Sequence, residues 1–189
     1  MRSFRSLHFA VCLAALAVAS CSLHSKGPGA ASESRLIAET AKQAQALVAL
    51  GRFKHAIELY SNAFDKYHSR ELRRSYVKLG ERIKMSADTA YQSGEIGEAG
   101  VDYSILLESG ITKRGFAGTL SFDDDYLNRQ IKACSRALME SGLLKYRNEK
   151  LDEAIAIWKK ALFFDPDNRT IKSAFETATV QLQQLKQIK

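Results

Sequence analysis

From about residue 33 to the C-terminus, apolar residues recur every three or four positions, and the strict alternation of a half-buried strand is absent. Only two prolines interrupt the chain, so little forbids helix. Ile37, Ala41, Ala44 and Val48 define one face of a first helix over 33–50, which Gly51 ends. Phe53, Ala56, Ile57, Tyr60, Ala63 and Phe64 define a second over 53–67. Ser69 caps a third that reaches about Ser93, with Leu72, Tyr76, Leu79, Ile83, Ala87 and Ala90 inward and Gly94 as its stop. A fourth covers 96–108 and stops at Gly110. The stretch 110–122 has three glycines and no helical period, which predicts a loop. Asp123, Asp124 and Asp125 suit the cap and the dipole of a fifth helix that ends near Arg147. A sixth covers 151–163. The segment Asp165-Pro166-Asp167-Asn168 then breaks the chain and caps a seventh, which runs to about Gln187 with Ile171, Phe175, Ala178, Leu182 and Leu185 on one face. The expected fold class is all-α.

Three of the turns share a pattern. Gly51 is followed by Phe53, Ala56, Ile57, Tyr60 and Ala63; Gly94 by Ile96, Ala99, Gly100, Tyr103 and Leu106; and Glu149 by Leu151, Ala154, Ile155, Trp158 and Ala161. A small side chain lets two helices cross closely, and the aromatic fills the gap to the next pair. This resembles the tetratricopeptide repeat, most closely in the third copy. There Ala154, Trp158, Ala161 and Pro166 match the second-helix alanine, aromatic, alanine and terminal proline, and Gly142 the small first-helix position. The copies are spaced 43 and 55 residues apart, from Ala56 to Ala99 to Ala154, whereas that repeat is about 34 residues long. Glu149 replaces the turn glycine, and Gly100 and Leu106 depart from the other copies. The resemblance covers 33–189. It implies stacked antiparallel helical hairpins, an α-solenoid with lengthened first helices, closed by the last helix.

The first residues carry a different signal. Arg2 and Arg5 precede an uncharged run from Leu7 to Ala19, and Val18-Ala19-Ser20 leads into Cys21. Charged start, short apolar region and small-residue junction form a secretory signal. The junction resembles the lipobox of bacterial lipoproteins. That resemblance implies cleavage of 1–20, acylation (palmitate among the chains) at Cys21, and a flexible tether over 21–32. The apolar run is shorter than the roughly 20 residues of a spanning helix. An ordinary secretory signal and an uncleaved anchor are the alternatives. No twin arginine lies near the start. Ser22, where the usual retention signal is aspartate, implies sorting to the outer membrane, facing the periplasm.

Charge changes the picture little. The chain carries +7, and loss of Arg2 and Arg5 leaves about +5. This suits anionic headgroups or cell-wall carboxylates and is too weak to argue for nucleic acid. Cys12 leaves with the signal and Cys21 would be acylated, so Cys134 is the remaining thiol. It shares a stripe with Leu127, Ile131 and Leu138, which reads as a small buried hydrophobe; an intermolecular disulfide or a reactive thiol is the other reading. His24, His55 and His68 make no metal-ligand pair, and the three aspartates lack the alternation and glycine bend of a calcium loop. No nucleophile or phosphate motif is present, so no catalytic residue, metal or cofactor is assigned and the expectation is a non-enzyme.

Two features are candidates for binding. Arg70, Arg74, Lys78 and Arg82 recur every fourth residue, opposite the Tyr76/Leu79/Ile83 stripe, as a basic ridge. It is either a solvated face or a site for anionic headgroups, wall carboxylates or an acidic partner. The 111–122 loop is long for a helix connection and pairs Phe116 with Lys113 and Arg114. It either packs over a gap or recognises a partner. Together these features predict a lipid-anchored envelope scaffold that binds another envelope protein or complex. The alternative is a direct binder of cell wall or anionic lipid through the ridge.

Overall fold

The structure is a computed structural model that describes residues 28–116 and 118–187. The lipobox residues Val18 to Cys21, Cys12, His24 and the first part of the expected tether lie outside the described residues. The described residues form seven α-helices, a short 3-10 turn and no strand. The helices are α1 (Pro28–Ala49), α2 (Phe53–Tyr67), α3 (Arg70–Gln92), α4 (Ile96–Ser109), α5 (Asp124–Arg147), α6 (Leu151–Phe164) and α7 (Arg169–Gln187), with the 3-10 turn at Ile111–Lys113. The all-α class and the element order follow the hydrophobic period. The start of α1 departs from it. Residues 28–32, expected in the tether, are helical, because Pro28 is pre-set for a first helical position and Ala30 and Ala31 are strong helix formers.

Each helix packs on the next in sequence, and α4 also packs on both α2 and α6. The core is the predicted stripes: Ile37, Ala44 and Val48 of α1, Leu72, Tyr76, Leu79, Ile83 and Ala87 of α3, and Leu127, Ile131, Cys134 and Leu138 of α5 are all buried. On α7, Ile171 and Ala178 are buried, but Leu185, expected inward, is 50% exposed.

The three related turns have one geometry. Gly51, Gly94 and Glu149 all sit at positive φ, at 69°, 87° and 58°. The next backbone N–H, of Arg52, Glu95 and Lys150, donates to the carbonyl five residues back at 2.9, 2.8 and 3.0 Å. The following small residues Ala56, Ala99 and Ala154 are fully buried, and so in effect are the aromatics Tyr60, Tyr103 and Trp158. A Cβ on Gly142 would lie 2.2 Å from the Trp158 indole nitrogen, and one on Gly100 would lie 2.5 Å from the Phe164 ring. Small residues on one helix therefore seat the aromatics of another. Between α3, α4 and α5, Asp88 accepts from Tyr103 Oη at 2.6 Å, Tyr126 Oη at 2.7 Å and Lys84 Nζ at 2.8 Å. Three helices are thus tied through one carboxylate.

Candidate functional site

The basic ridge forms as its spacing predicts. Ser69 starts α3 by accepting from the Glu71 N–H at 3.2 Å. The buried stripe of α3 then fixes its rotation, and Arg70, Arg74, Lys78 and Arg82 all emerge exposed. Among the described residues none of the four is in an ion pair. They make a continuous cationic row along the solvent side of α3.

The 111–122 segment is a packed strap. Phe116 is 1% exposed, and Ile111 and Phe122 are also buried. The Phe116 ring stands edge-on to Phe64 of α2 at 5.2 Å and to Tyr76 of α3 at 5.6 Å. Arg73 lies 5.3 Å above it and donates to the Gly115 carbonyl at 3.2 Å. Arg114 turns inward too, donating to Asp65 and, at 2.6 Å, to Ser61. The strap lies so close to α3 that a Cβ on Gly80 would come within 2.7 Å of Ile111. Phe116 is therefore a core residue and Arg114 a structural tie. Phe116 drops out as a surface recognition residue, because its ring fills a gap between α2 and α3 that those helices leave open. Lys113 remains exposed, 3.3 Å from Asp124.

A cleft of about 860 Å³ lies on the face formed by α2, α4 and α6. It is lined by Glu95, Glu98, Val101 and Asp102 from the start of α4, by Ala156, Lys159, Lys160 and Phe163 of α6, and by Phe53 of α2 and Ser86 of α3. Phe163 is 75% exposed. Burial pushes the Asp102 carboxyl up to about 6, the Ser86 hydroxyl opposes the rise, and neighbouring Glu98 adds to it. Gly97 leaves room for the Lys160 stem, which runs 3.6 Å from where its Cβ would stand. Apart from Phe53, which belongs to the α2 stripe, these residues lie off the apolar stripes. The available signal was Glu98 and Asp102 four residues apart on α4 and two lysines before an aromatic in α6.

Elsewhere, Cys134 is fully buried and its thiol is pushed up to about 11 by burial, which suits the small buried hydrophobe. Asp123 caps α5, accepting from the Tyr126 N–H at 2.7 Å, and Asp124 is engaged by Thr112 and Lys113. His55 and His68 are exposed. Among the described residues no group of histidine, cysteine and carboxylate is arranged to hold a metal ion. No described helix is long and apolar enough to cross a membrane. No protein-family model matches the chain, and no curated protein matches it.

Proposed function

We propose that this chain is a lipid-anchored scaffold of a bacterial envelope. Its helices form tetratricopeptide-like stacked hairpins capped by α7. Cys21 holds them to the outer membrane, and they bind another envelope protein in the periplasm. The observation that carries this reading is the threefold recurrence of one turn, with the same left-handed residue, the same backbone hydrogen bond and the same buried small and aromatic positions after it. Repeated helix pairs build extended surfaces for other chains, and the Val18-Ala19-Ser20-Cys21 junction supplies the anchor. Stable attachment takes more than one acyl chain, which this type of modification provides.

The test begins with Cys21→Ala. The variant should stay unprocessed at that junction and leave the outer-membrane fraction. Normal processing and attachment would remove the anchor from the reading. Crosslinking in intact envelopes should then recover a protein partner with the wild-type chain.

A second reading is favoured by one observation, the four exposed ridge cations that make no ion pair among the described residues. In it the ridge of Arg70, Arg74, Lys78 and Arg82 binds anionic lipid or cell wall directly. Cosedimentation with anionic vesicles or wall fragments that fades as salt rises would favour it, because exposed charges are screened within about 10 Å at 0.1 M salt.

A further inference from the structure

The stretches of α4 and α6 that line the cleft differ in charge: Glu98 and Asp102 stand on α4, and Lys159 and Lys160 on α6, beyond the acidic first turn of Asp152 and Glu153. On α4, Val101 and its neighbour Ile105 are flanked by Glu98 and Asp102; on α6, Ala156 and Phe163 are one side of an exposed stripe flanked by Lys159 and Lys160. Both helices have 14 residues, so each presents about 21 Å of length. We propose that this face is a self-association surface, on which Lys159, Lys160 and Phe163 of one copy seat against Glu98, Val101 and Asp102 of a second copy, and the reverse, about a two-fold axis.

Charge complementarity selects a second copy as the occupant. A two-fold interface uses the same patch on both subunits, so it must contain both members of every contact. This patch does: an acidic row, a basic row, an exposed aromatic and a cleft beside it. Two exposed ion pairs elsewhere on α4 and α6 close within the chain, whereas Glu95 of the same cleft closes none among the described residues. Lys54 reaches Glu108 at 3.1 Å, and Lys186 reaches Asp152 at 3.9 Å. Glu98, Asp102, Lys159 and Lys160 make no ion pair among the described residues, although they border one cleft. Asp102 is partly desolvated with only the Ser86 hydroxyl to offset it. A lysine from a second copy supplies the missing cation. Phe163, 75% exposed at the end of α6, fills the cleft of that copy next to Val101. The pairing is independent of any other protein the scaffold binds.

The experiment measures the protein mass of the full chain, extracted in detergent, by sedimentation velocity across a concentration series. The wild type should approach a dimer. Lys159→Glu with Lys160→Glu, and separately Glu98→Lys with Asp102→Lys, should each weaken dimerisation roughly 10-fold or more, because like charges then face each other. Mixing the two reversed chains should restore a one-to-one dimer, and one chain with all four reversals should pair with itself again. Phe163→Ala removes only an exposed side chain, cannot unfold the protein, and should also weaken the dimer. A chain that stays monomeric, a dimer indifferent to both reversals and to Phe163→Ala, or growth past the dimer without a plateau would overturn the proposal.

Discussion

Glu149 is the residue whose identity and conformation disagree most. It holds φ at 58° in a turn whose counterparts are glycines, and a residue with a Cβ pays about 1 kcal/mol or more there. Glu149→Gly should therefore raise stability by about 0.5–1 kcal/mol, read as a higher urea midpoint with an unchanged slope. A lower midpoint would show that the Glu149 side chain holds the turn. Asp102 is a second mismatch, a carboxyl raised by burial from 3.8 to about 6. With the native value above the unfolded one, the ionised group costs stability. That cost is absent below about pH 4, grows between pH 4 and 6, and is complete above 6. In the monomer, at concentrations too low for pairing, Asp102→Asn should thus stabilise the chain by about 1 kcal/mol at pH 7, after discounting for its partial exposure, and the advantage should vanish by pH 4. An advantage that is the same at both pH values would mean that charge burial is not its source.

Among the elements, the strap and the α5–α6 crossing set the packing. Phe116→Ala should cost roughly 3–5 kcal/mol, because the ring is buried against Phe64 and Tyr76. Lys113→Ala should stay within about 0.5 kcal/mol, its ion pair being largely exposed. Equal melting temperatures for the two variants would contradict the packed strap. Gly142→Ala should destabilise by about 1–3 kcal/mol, since the new methyl would overlap the Trp158 indole. Thermal melts check each of these, and a neutral Gly142→Ala would mean that the crossing yields. The repeat pattern in the sequence singled out Gly142 and Trp158 as separate positions, and the structure brings them into contact. The pattern said nothing of how the strap would lie. Ile111, Phe116 and Phe122 have no shared period, so only the gap beside α3 could tell packing from recognition.

For the whole molecule, the charge distribution separates surface from scaffold. Neutralising Arg70, Arg74, Lys78 and Arg82 to Gln should leave the melting temperature within a few degrees, because all four side chains are exposed and unpaired among the described residues. Loss of vesicle or wall binding in that variant at unchanged stability would assign the ridge a role; unchanged binding would make it a solvated face. The sequence alone determined that the fold is helical, where its helices turn and most of the buried stripes, the outer end of α7 at Leu185 excepted. These follow from spacings of three and four, from Gly51, Gly94 and Gly110, and from the Ser69 and Asp123 caps, all local properties of the chain. Only the tertiary structure decided that Phe116 and Arg114 face inward and that Glu98 and Asp102 share a cleft with Lys159, Lys160 and Phe163. Residues about 60 positions apart meet there because α4 packs on α6, and off-stripe positions carry no periodic signal that would have announced it.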